Sequence, residues 1–211
     1  MTKFVLAGVW LLGWIHVLGF SPEGGESVAD TIVGIMQNDK SVYDPMVFMV
    51  FNILGVWPII MVAMLVQDTQ GKLKAFPFAI SSMILGNSAL YIYLLLRKEQ
   101  KPFAGRITPV IRFAESKILA LVLLASTIAL LVYGLSQGNF TAFMETWHSN
   151  IFVNVMTVDF FLFPIAFAFV LTDDMRRRNM SINGWFWLYA LLPALGAVIY
   201  LTVRKPLPDN R

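Results

Sequence analysis

The sequence predicts an all-α, polytopic membrane bundle of about six spans, and two observations carry that reading. Six stretches are apolar and long enough to cross a bilayer, and nearly every charge falls in the breaks between them. The chain is 57% hydrophobic and only 14% charged, whereas a soluble domain carries about a quarter charged residues. A water-facing surface needs more polar residues than this chain has, so most of it must face lipid or other spans.

A span takes about 20 mostly apolar residues at about 1.5 Å rise each, and backbone groups in lipid must pair internally, which makes such spans helices. The first runs over Phe4–Phe20. Lys3, the apolar run and Ser21-Pro22-Glu23-Gly24 have the outline of a signal peptide. No small-x-small cleavage motif precedes the break, and Trp10, Trp14 and His16 are unusual there, so the segment reads as a retained span. The acidic loop Glu23 to Asp44 follows, with an amphipathic stretch, Val28 to Met36, suited to the interface. The second and third spans cover Met46–Val66 and Ala75–Leu96. A basic connecting loop, 99–116, leads to the fourth, fifth and sixth, Ile118–Leu135, Ile151–Thr172 and Trp185–Val203.

The two halves, 1–98 and 117–211, read as repeats of three helices. Lys3 and Lys117 open the first span of each; Asn52 and Pro58 in the second span answer Asp159 and Pro164 in the fifth. Both third members open with aromatics, carry Leu-Gly (Leu85-Gly86, Leu195-Gly196) and a tyrosine, and close on Arg-Lys (Arg97-Lys98, Arg204-Lys205). Units of three spans imply an inverted pair. On that layout Lys3, Lys72, Lys74, Arg204, Lys205 and Arg211 share one side and the other ten Lys/Arg the opposite one, which places both termini outside the cytoplasm.

Composition narrows the chemistry. There are no cysteines and two histidines, so thiolate sites and multi-histidine metal centres have no ligands here, and no metal site is expected. The net charge of +3 resides in loops, where it reports topology and lipid headgroups and not nucleic acid. Nucleotide-binding, hydrolase and zinc-peptidase motifs do not occur. Asp159, mid-span, is the leading candidate for a catalytic or anchoring group, because an aspartate there costs about 2.5–3.5 kcal/mol on insertion and needs a partner or a wet cavity. His16, Asn52 and Asn87 are its candidate partners. Asn150, Asn154 and Thr157 line one face of the fifth helix, away from Asp159, and suit interhelical hydrogen bonding. Asn52 and Asp159 are expected to form a polar seam near the midplane, where inverted-repeat transporters place substrate. Arg176, Arg177 and Arg178 are expected among lipid headgroups.

A resemblance adds to this. Asn154 to Asp174, with Val158-Asp159-Phe160-Phe161 and the closing Asp173-Asp174, resembles plastid membrane proteins of the neoxanthin-synthase type, and so does the following span with Gly196 and Tyr200. That half also resembles small three-span bacterial membrane proteins. Phe51-Asn52-Ile53-Leu54-Gly55-Val56-Trp57-Pro58, followed by Ala75-Phe76-Pro77-Phe78, is similar to uncharacterised cyanobacterial and chloroplast membrane proteins. The resemblance implies a structural, assembly or pigment-associated protein of a photosynthetic-type membrane, with bound carotenoid or lipid and membrane-protein partners. A carotenoid- or lipid-modifying enzyme is the alternative expectation, and a small inverted-repeat transporter the third. Without a transit peptide, a bacterial inner or thylakoid membrane is the expected location.

Overall fold

The computed structural model describes residues 2–23, 26–68, 73–97, 103 and 107–208, and every regular element among them is a helix. Lys72, Lys98, Arg211 and nearly all of 98–106 lie outside the described residues. The first half holds α1 (Thr2–Phe20), α2 (Val28–Met36), α3 (Pro45–Leu65), α4 (Ala75–Leu85) and α5 (Asn87–Leu96). A short α6 (Pro109–Ala114) leads into α7 (Lys117–Gln137), α8 (Phe140–Ser149), α9 (Ile151–Arg177), α10 (Gly184–Leu191) and α11 (Leu195–Val203). Four of these, α1, α3, α7 and α9, are long and apolar enough to cross a membrane.

The third and sixth predicted spans are each two half-length helices. With 11 residues in α4 and 10 in α5, neither reaches further than about 15–17 Å, roughly half a hydrocarbon core. The break is Gly86, at φ 59 and ψ −153, which only glycine adopts without strain. The second pair breaks beside Pro193 at Ala194, φ 56.

Contacts fix where these pairs end. Beyond α5, Arg97 meets Asp68, just past the end of α3, and Lys3 at the start of α1 donates to the Leu95 and Arg97 carbonyls, both at 2.7 Å. The chain therefore turns at Gly86 and α5 comes back to the end of the bundle that α3 reached. Likewise Lys117 at the start of α7 donates to the carbonyls of Thr202 (2.5 Å) and Arg204 (3.2 Å), and Arg204 lies beside the end of α9. The expected six spans are thus four long helices and two helical hairpins.

The expected inversion is not met. α3 and α9 run side by side and finish together: Gln67 donates to Asp174 at 2.9 Å, and Arg177 pairs with Asp68. Two units of two long helices each return the chain to the end of the bundle where it began, so the second begins in the orientation of the first. α1 packs on α5 and α9, α7 packs on α11 and α3, and the halves interlock around one core. At its centre Trp57 of α3 stacks on Phe163 of α9 (5.4 Å, 8°). Pro58 and Pro164 sit inside their helices without ending them.

Charge is sorted by this topology. Among the described residues Lys3, Lys74, Arg97, Arg112, Lys117, Arg176, Arg177, Arg178, Arg204 and Lys205 lie at the hairpin-bearing face, and Lys40 alone at the other. The six-against-ten division drawn from sequence rests on the third and sixth stretches running straight through, whereas each is a pair of shorter helices whose ends lie at this one face.

Candidate functional site

Asp159 lies eight residues into α9, against the tip of the first hairpin. Its carboxyl Oδ2 accepts from the Asn87 backbone N–H at 3.1 Å, and its own carbonyl accepts from the Asn87 side-chain amide at 3.1 Å. The break at Gly86 leaves the first N–H groups of α5 without helical acceptors, and Asp159 supplies one as a cap from another helix. The fit is close: a Cβ on Gly86 would overlap the Asp159 carboxyl. Of the three candidate partners, Asn87 is the one in contact.

No donor among the described residues reaches Asp159 Oδ1. Asp159 instead lines a pocket of about 90 Å³ between α1, α5 and α9, with Trp10, Gly13, Trp14, Ser88 and Leu162. At about 30 Å³ per water, this admits a functional group or a ring edge, not a whole pigment. Trp10 Nε1 donates to Ser88 Oγ at 3.2 Å across its rim.

The other polar residues do not converge there. Asn52 donates to Phe48 O, one turn back on α3, so the seam with Asp159 is not built. His16 meets Asn154 Oδ1 (3.1 Å), which also accepts from Ser21 (2.9 Å), while the Asn154 amide donates to Trp147 O. His16 also stacks on Phe20 and Trp147. Asn150 donates to Thr31 of α2 at 3.0 Å, and Thr157 bonds back to Val153 O. Through Asn150 and Asn154 this face of α9 joins α2 and α1, whereas Thr157 bonds only within its own helix.

At the opposite end of α9 lies a buried ionic cluster that the sequence reading passed over. Asp68 accepts from Tyr93 (2.8 Å), Arg97 and Arg177. Asp174 accepts from Tyr200 (2.6 Å) and Arg178 (2.8 Å), with Arg204 at 4.0 Å. Glu115 pairs with Arg178 and Arg204, and Asp173 with Arg97. Four arginines face four carboxylates. Arg177 and Arg178, expected among headgroups, are turned inward, 8% and 3% exposed, and of the three consecutive arginines only Arg176 faces out. Burial works against the charge of Arg178, but Glu115 and Asp174 outweigh it and hold the guanidinium above its ordinary range. On Arg204 burial prevails, Arg178 repels as well, and the group titrates below its ordinary range. The spacing Tyr-x-x-x-Arg at Tyr93 and Tyr200, each opposite an aspartate ending the preceding long helix, was the available signal.

Comparison with known proteins adds one similarity. A stretch of 62 residues is 34% identical to cardiolipin synthase 2 of Staphylococcus epidermidis, in two strains. It covers 29% of this chain and 13% of that protein, so the chain spans about an eighth of the curated relative it matches. No protein-family model and no solved structure matches.

Proposed function

We propose that the chain is an integral membrane protein built as a tandem, parallel repeat: four crossings, and two hairpins that enter half-way from the cytoplasmic face. Two sets of matched contacts support the repeat: Tyr93–Asp68 with Tyr200–Asp174, and Lys3 with Lys117 on the carbonyls that end α5 and α11. Ten described Lys/Arg against one support a cytoplasmic hairpin face. The cysteine-free chain makes this simple to test. Single cysteines at Lys40 or Glu145 should label from outside cells, and those at Lys74 or Lys205 only after permeabilisation. Labelling of Lys74→Cys and Lys205→Cys from opposite sides would refute it.

On that scaffold the chain holds a long-chain apolar molecule of the membrane, carotenoid or lipid, as a pigment- or lipid-associated component of an energy-converting membrane. The observation that carries this is the Asp159 pocket: one polar acceptor in the apolar layer, open between α1 and α9, with room for the end of such a molecule. The second hairpin tip has no acidic residue in the matching stretch of α3, so the site is single. Purification from native membrane should yield bound chromophore or lipid by absorption and mass, and Ser88→Leu should release it. A preparation carrying none refutes the reading. A second reading, a carotenoid- or lipid-modifying enzyme with Asp159 as acid or base, is favoured by the open Oδ1. In that case Asp159→Asn changes the pigment or lipid profile of the cell while leaving the ligand bound.

A further inference from the structure

A second cavity, of about 420 Å³, opens where α9 ends, α10 begins and α11 ends. Its lower lining includes Met175, Ile199 and Trp185, and its upper lining Ser181, Asn183 and Lys205. The three polar residues share one property: each offers donors that no described acceptor takes. Asn183 spends its Oδ1 capping the Trp185 N–H at 3.2 Å, which leaves its amide N–H groups free. The Lys205 carbonyl is held by Arg178, and among the described residues no carboxylate pairs with its ammonium. The Ser181 hydroxyl is likewise unengaged.

The electrostatics point the same way. Every described carboxylate at this end of the bundle, Asp68, Glu115, Asp173 and Asp174, is already matched by an arginine. Lys205 and Arg176 are exposed, and among the described residues no carboxylate offsets their charge. A ligand here must therefore be rich in acceptors, negative, and apolar below. The depth selects the same chemistry, since the cleft lies where the long helices give way to charged residues, the level of glycerol and phosphate in a bilayer. Trp185 and Trp187, each 61% exposed, suit that level.

We infer that this cleft binds one anionic phospholipid of the cytoplasmic leaflet, its phosphate received by Lys205, Ser181 and Asn183 and its upper acyl chain lying on Met175 and Ile199. The inference rests on the membrane topology proposed above, not on the Asp159 pocket. Lipid retention on the intact protein tests it, by native mass spectrometry from bilayers of phosphatidylcholine with graded phosphatidylglycerol. One phosphatidylglycerol should stay bound in preference to phosphatidylcholine. Lys205→Gln should weaken it about fivefold, the worth of one interfacial cation, and Ser181→Ala combined with it further. Lys40→Gln, on the opposite face, should change nothing, and unchanged thermal unfolding of each variant shows that the fold is intact. Equal retention of the two lipids, or full retention by Lys205→Gln, overturns the inference. So does displacement by millimolar inorganic phosphate, which would make this a free-anion site. Ser88→Leu, which empties the other pocket, should leave this lipid in place.

Discussion

Replacing Gly86 by alanine is the sharpest perturbation the fold offers. At φ 59 and ψ −153 an alanine is strained by about 1–3 kcal/mol. The added methyl would overlap the Asp159 carboxyl and push it off the Asn87 N–H. Leaving that donor unpaired in the apolar layer costs about another 1–3 kcal/mol. Gly86→Ala should therefore destabilise the protein by about 2–6 kcal/mol. Gly8→Ala, whose Cβ meets nothing within 4 Å, should be neutral or stabilise α1 by up to about 1 kcal/mol. Reversible unfolding in mixed micelles measures both. The double variant Gly86→Ala/Asp159→Ala separates strain from overlap: if the carboxyl is displaced, the two changes must couple by at least about 1 kcal/mol. Additive effects, or a neutral Gly86→Ala, would refute a tip held by Asp159.

Further outcomes follow from the same contacts. Asp68→Asn leaves Arg177 and Arg97 facing a neutral amide in a buried site, and should cost about 3–5 kcal/mol, while the exposed Asp39→Asn should unfold like wild type; the same unfolding assay compares them. Asn154→Leu strands the donors of His16 and Ser21, and at about 0.6 kcal/mol per interhelical bond should loosen α1 by about 1 kcal/mol, read as faster amide exchange in α1 with α3 unchanged. Burial and the hydrogen bond to Glu26 raise the Tyr43 phenol above the ordinary tyrosine range. The latch between Tyr43 and Glu26 is therefore intact below that range and lost as pH rises through the shifted value; the absorbance difference between wild type and Tyr43→Phe should show one late-titrating phenol.

Hydropathy made the long helices legible, since length and absence of charge are what the bilayer demands. Val28 to Met36 was legible too, from its acidic surroundings and amphipathic face, and forms α2 over those residues. What hydropathy does not register is direction. A stretch such as Ala75 to Leu96 is as apolar folded in half as extended, and the folding point is set by one backbone angle at Gly86. Two hairpins and two straight spans have the same hydropathy profile, but they give the second unit opposite orientations and group the loop charges differently. Asp159 was visible as an anomaly because its cost in lipid is large, but its partner was not, since Asn87 reaches it only through the hairpin. Likewise Asp68, Arg97, Asp174 and Arg204 looked like ordinary helix exits in one dimension, and only the convergence of four helix ends makes them a cluster.

The one-sided hairpins bear on how such a chain enters a membrane. On the topology proposed above, both return to the face they left, so insertion would translocate only two connections, 21–44 and 138–150, which between them hold a single lysine. On that topology the four clustered arginines, Arg97, Arg177, Arg178 and Arg204, stay behind with their carboxylates, so their guanidinium groups meet them without passing through oil.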